Sequence, residues 1–145
     1  MRSMKYAVLL GLVAAGCGND SSGEAKMLVG SYNVMIASNG KSDPDVMTIS
    51  QGTGGDILLT FVAGITTDAM GPNPGGLRCG LDGQNVDIKA QPCHIDHSTG
   101  NLDGTVSGMG TIMTDGSALD FMLNFMPTNL GGTSMIAYEI TGARM

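Results

Sequence analysis

The residues of this chain that can do chemistry are few. Cys93-His94-Ile95-Asp96-His97 places both histidines of the sequence beside one of its three cysteines. These are zinc-ligand types, but on a strand His94 and Asp96 point one way and His97 the other. Zinc takes three or four converging ligands, and no second cluster supplies the rest, so the expectation is that no metal binds here. Asp96, Ser98, Asn101 and Asp103 also sketch a calcium loop. The place of its twelfth-position Glu holds Ser107, however, and the central Gly is displaced, so the stretch reads as a turn.

Catalysis finds little support. No Ser has Gly two residues away on both sides, as a nucleophile elbow needs. A Ser–His–Asp site would have to draw on two histidines that share one hairpin. No phosphate-cradling Gly loop precedes a helix. The expectation is a protein without catalytic residues or a cofactor. Ten of the twelve methionines fall at or after Met27, with Met109, Met113, Met122, Met126 and Met135 in the last third. Thioethers bind copper(I), yet these are scattered rather than clustered as Met-x-x-Met repeats. Met122 and Met126 lie opposite the large apolar residues of their strand, which implies a second buried surface or an exposed contact patch. Met suits adaptable packing and contact surfaces, and that is the expectation in preference to copper.

The N-terminus has a separate logic. Arg2 and Lys5 flank Tyr6 to Ala15, an almost wholly apolar run of ten residues. Spanning a bilayer takes roughly 20, so the run is too short for a permanent span and has the form of a secretory signal. Val13-Ala14-Ala15-Gly16-Cys17 resembles the lipobox of bacterial lipoproteins, although Ala14 stands where that family usually has Leu. The resemblance implies that residues 1–16 are a cleaved signal peptide and that Cys17 carries a lipid anchor. Ordinary cleavage after Ala15 is the alternative. Residues 17–25 would then be a flexible polar tether and 26–145 a single domain. Gly18 is not acidic, which in the enterobacterial sorting rule favours the outer membrane of the cell envelope.

With Cys17 lipidated, Cys79 and Cys93 remain as a pair in an oxidising compartment. A disulfide between them would close a loop of thirteen intervening residues, worth on the order of 3 kcal/mol. Two buried thiols are the alternative. Without Arg2 and Lys5 the chain keeps five basic against thirteen acidic residues, a net charge of −8. Such a surface repels nucleic acid and anionic headgroups, so nucleic acid is not expected as a partner.

The elements that must position these residues alternate with period two. Leu28, Gly30, Tyr32, Val34 and Ile36 share a face, as do Met47 and Ile49, then Ile57, Leu59 and Phe61. Val86, Ile88 and Ala90 follow, then Leu119, Phe121, Leu123 and Phe125, and last Ile136, Tyr138 and Ile140. This is the pattern of half-buried antiparallel strands. Asn39-Gly40, Asp82-Gly83, Asp103-Gly104 and Asp115-Gly116 read as tight turns, with Gly52–Gly55 and Gly131-Gly132 as further candidates. No window carries capped helical spacing. The fold expected is all-β: an antiparallel meander of about eight or nine strands closing into a small barrel or a sandwich. The long connection Gly64–Gly76 reads as a surface loop, or as a lid over a barrel mouth.

Gly30-Ser31-Tyr32 resembles a softened Gly-x-Trp start of lipocalin-like barrels, in which an Arg of the final strand stacks over the Trp. Arg144 occupies the matching place here. The resemblance implies a Tyr32–Arg144 cation–π contact and a lipocalin-like outline. The functional expectation is a non-catalytic, membrane-anchored binding module for an apolar small molecule or an envelope protein. Tyr32, Phe61, Phe121, Phe125, Tyr138 and Arg144 are its candidate contacts. A solid-cored interaction or protease-inhibitor-like barrel is the alternative.

Overall fold

In the computed structural model of the protein, the described residues are 21–63, 65–66, 76–95, 102–128 and 134–145. A helix, α1 (Ser21–Leu28), leads into β1 (Gly30–Ser38) and β2 (Lys41–Gln51). A 3-10 turn at Thr53–Gly55 precedes β3 (Ile57–Phe61), β4 (Ile65–Thr66) and β5 (Leu77–Asp82). Then come β6 (Asn85–Ile95), β7 (Leu102–Ile112), β8 (Leu119–Pro127) and β9 (Ile136–Arg144). All pairings are antiparallel, β1 joins β9, and a β6–β7 ladder closes the ring. β7 runs along one edge of β6 from Asn85 to Ile95, so β4 and β5 share the opposite edge. They are two pieces of one stave, and the barrel has eight. Closure gives every stave a hydrogen-bonded neighbour on both sides. The sandwich alternative is therefore set aside.

Period-two alternation carries over directly. Along β8, Leu119, Phe121, Leu123 and Phe125 are buried while Asp120, Met122 and Met126 face out. Tyr32 and Val34 of β1, Met47 and Ile49 of β2, and Ile57, Leu59 and Phe61 of β3 join them in one core. Asn39 and Gly40 both have positive φ (51° and 76°), as the primed two-residue hairpin turn requires.

The structure corrects four expectations. Ser21–Leu28 is a helix, although the sequence assigns its first part to a tether. Eight residues make a marginal helix alone; Ala25 and Leu28, one turn apart, are buried in the barrel end and hold it there. Glu24 Oε2 adds a bond by accepting from the Gly83 N–H at 3.3 Å. Ala90 is exposed, because a bulge between Ile88 and Gln91 shifts the phase of β6. The Gln91 side chain stitches that bulge to the broken stave: its Oε1 accepts from Arg78 N–H, and its Nε2 donates to the Arg78 and Lys89 carbonyls. Asp103-Gly104 is no turn but lies within β7, opposite His94 and Cys93. A Cβ on Gly104 would sit 2.1 Å from the Met126 carbonyl oxygen, so the glycine serves close approach of β7 and β8.

The fourth correction concerns Cys79 and Cys93, which are not joined by a disulfide. Cys79 is level with Ile88, whereas Cys93 lies five residues further along β6, opposite Gly104. At ~3.3 Å per residue, shortened by the bulge, that offset is roughly 13–16 Å. A disulfide spans Cα atoms no more than about 7 Å apart. Loop length in the sequence is blind to this register. Burial, with the Asp56 and Asp87 charges behind it, pushes the Cys79 thiol far above the usual range, and burial pushes Cys93 up to about 12. Both stay protonated near neutral pH and are poor nucleophiles.

Candidate functional site at the Ser38 and Tyr138 end of the barrel

The two ends of the barrel are built differently. At one end, α1 lies across the interior. The fully buried Tyr32 hydroxyl donates to the Leu28 carbonyl at 2.8 Å and accepts from Arg144 Nη2 at 3.0 Å. The same nitrogen donates to the Met27 carbonyl at 2.5 Å, so a cation sits on the last carbonyls of the helix, where its dipole favours positive charge. The guanidinium carbon stands 5.5 Å from the Tyr32 ring centroid, a cation–π geometry worth roughly 0.5–2 kcal/mol. Arg144 N–H donates to the Gly116 carbonyl at 2.9 Å, which ties the β7–β8 turn into the same cluster. The Tyr32–Arg144 contact expected from the sequence is present, and it serves to plug this end.

On the outer wall nearby, Asp56 takes Arg78 Nε at 2.9 Å and Lys89 Nζ at 3.0 Å, joining β3, β5 and β6. Partial burial alone would raise the Asp56 carboxyl. The hydrogen bonds and charges of Arg78 and Lys89 outweigh it and hold the group below the usual carboxylate range.

At the other end lie the Asn39-Gly40 turn and the ends Ile95 of β6, Leu102 of β7, Pro127 of β8 and Ile136 of β9. Ile36, Leu102 and Ile136, packed on the core, are only partly buried here. Phe61 and Tyr138 retain 8 % and 7 % of their surface, against 0 % for Tyr32, Phe121 and Phe125. Three polar atoms enter this apolar rim. Ser38 continues the inward phase of Tyr32, Val34 and Ile36, and its Oγ is buried with no hydrogen-bond partner among the described residues. By continuation of the β1–β9 register past Ala37↔Glu139, Ser38 falls opposite Tyr138. The Tyr138 phenol is pushed up by burial first and by Cys93 second. A buried hydroxyl without a partner is destabilising by about 1–3 kcal/mol. A ligand bearing one hydrogen-bonding group on an apolar body would satisfy Ser38 there.

The six aromatic and basic candidates do not converge on one site. Tyr32 and Arg144 belong to the plug. Phe121 and Phe125 fill the interior: a Cβ on Gly110 would sit 2.3 Å from the Phe121 ring, and one on Gly104 2.8 Å from that of Phe125. Only Phe61 and Tyr138 remain at the mouth. Ser38, Cys93 and Ile136 join them, and Ser38 had a readable signal, a polar residue in phase with a buried face. His94 faces outward between the inward Cys93 and Ile95, and its Nδ1 lies 2.6 Å from Asp103 Oδ1. That pair is thus on the outer wall, away from the mouth lining. Among the described residues no three of His, Cys, Asp and Glu gather as a metal site. Asp96, His97, Cys17, Gly131-Gly132 and most of the Gly64–Gly76 connection lie outside the described residues. Comparison of the chain with family models, curated proteins and solved structures returns no match in any of the three.

Proposed function

We propose that the chain is an envelope lipoprotein, anchored through Cys17, whose barrel mouth binds an apolar ligand or the apolar part of a partner protein without catalysis. The contrast between the two barrel ends carries this reading. An anchor at Cys17 enters the barrel through α1, so the plugged end faces the membrane and the mouth faces away from it. There the rim offers partly buried aliphatic side chains and a hydroxyl with no hydrogen-bond partner among the described residues, the combination of apolar surface and few polar groups that small-molecule sites use. Native mass spectrometry of residues 18–145, exported to an oxidising compartment, tests it. A reproducible extra mass that leaves on activation supports the ligand reading and names the ligand class. A bare chain abandons it.

The filled interior favours a second reading, a solid-cored interaction barrel. Phe121, Phe125 and Tyr32 leave a ligand only the rim. In the inhibitor version the N-terminal segment would enter a protease, but Ala25 and Leu28 are committed to the barrel end, leaving residues 18–20 for that task. Partner contact then also falls to the mouth. Lipidation is tested apart from binding: metabolic labelling with a radioactive fatty acid marks the full-length chain and not its Cys17→Ser variant.

A further inference from the structure

Among the described residues ten large apolar side chains are exposed, and eight of them are methionines; the others are Val29 and Val62. Among the described residues no exposed Leu, Ile or aromatic ring accompanies them, and Met47 is the one methionine in the buried core. With the exceptions of Met47 inside and Val29 and Val62 outside, the described barrel keeps its thioethers on the surface and its large hydrocarbon side chains in the core. The outward methionines cluster on β7, β8 and the approach to β9. Met109 and Met122 are cross-strand partners in register, 71 % and 43 % exposed. Continuation of the β8–β9 register from Phe125↔Ile136 sets Met126 opposite Met135.

A docking face would mix aromatic side chains with methionine and shed charge from its centre. This surface does neither. Asp87 stands in register beside Met109, and Glu139 beside Met122, so carboxylates bracket the pair in one row. What sets methionine apart from the other apolar residues is its sulfur, which accepts oxygen.

We propose that these exposed methionines are a modification surface that consumes peroxide while the barrel stays folded. In each event a thioether lone pair attacks one oxygen of hydrogen peroxide; the S–O bond forms as the O–O bond breaks. Sulfur loses two electrons, the peroxide gains them, and the proton of the transferred oxygen passes to the departing hydroxide to give water. The sulfoxide is polar, and on the outer wall it is hydrated rather than buried. Met47 in the core is reached only through opening of the barrel. The inference is independent of whether the mouth binds anything.

The test is peroxide titration of the mature chain, with peptide mapping, circular dichroism and light scattering at each step. Each exposed methionine should gain about 16 Da, with Met47 reacting at least roughly tenfold more slowly because it needs barrel opening. The sheet spectrum and oligomeric state should not change. The double variant Met109→Leu, Met122→Leu should fold normally and take up two fewer oxygens. Oxidation of Met47 in step with the others overturns the proposal, as does loss of the sheet before the exposed set is consumed. A reduced protein that self-associates and a sulfoxide form that dissociates would overturn it too, in favour of docking.

Discussion

One end of this barrel is tied by a dense set of hydrogen bonds, and the described side chains at the other are less completely buried. At the plugged end Tyr32, Arg144, Leu28, Met27 and Gly116 satisfy one another's hydrogen bonds, and Ala25 and Leu28 complete the core. At the mouth Ile36, Leu102 and Ile136 are half out of the core, and Ser38 Oγ lacks a partner among the described residues. The lesson is a division of labour along one axis. Hydrogen bonds and burial are concentrated at the α1 end, and the proposed recognition role rests on the end where the described side chains are less buried.

Mutations separate the two ends by size of effect. Tyr32→Ala removes a fully buried ring and should destabilise by about 3–5 kcal/mol in urea unfolding. Tyr32→Phe keeps the ring but strands the Leu28 carbonyl, and about 1–2 kcal/mol is expected. If Tyr32→Ala falls below the Phe value, the plug is not what holds this end.

Gly116→Ala comes next. Its φ is +74°, and a Cβ would stand 2.9 Å from Arg144 Nε. A loss of about 1–3 kcal/mol is expected from strain and displacement of the guanidinium. Faster amide exchange in α1 should accompany it, and an unchanged α1 would uncouple the turn from the plug.

At the mouth, Ile136→Ala should lower stability by less than about 2 kcal/mol, since the side chain is already part-exposed. It should weaken any bound apolar ligand by a larger factor than it shifts the unfolding midpoint. A fully stable variant with unaltered ligand retention would move recognition elsewhere.

The smallest effect concerns Asp56, which clamps the wall near the plug. Its folded pKa lies below the ordinary value, so its contribution is complete above about pH 4. It fades as pH falls through the lower folded value. Arg78 and Lys89 are each 39 % exposed, so solvent screening holds the gain to about 1 kcal/mol at most. Asp56→Asn should therefore flatten the stability profile only on the acid side, read from urea midpoints at successive pH values.

Much of the fold was legible because alternation in a half-buried strand is a local property. The inward sets of β3, β8 and β9 could be read residue by residue. β7 was not legible in that way: its inward positions include Gly104, Gly108 and Gly110, which have no side chain to mark a face, and they are glycine because β8 backbone and its Phe rings press against them. α1 was missed because its helical state rests on burial of two residues by a barrel end that does not exist until the strands close. The mouth was half visible, through Phe61 and Tyr138, while Cys93 was read as half of a disulfide.

The sequence by itself determined the alternation of most strands, the Asn39-Gly40 turn and the sorting of aliphatic from polar faces, because each depends on side-chain type and parity along the chain, while the Tyr32–Arg144 contact was implied by the resemblance to lipocalin-like barrels. Only the tertiary structure decided that Cys79 and Cys93 stand apart, that α1 plugs one end, and that the aromatic residues fill the barrel rather than line one site. These depend on register and closure, which set distances between residues far apart in sequence, and no local pattern encodes those distances.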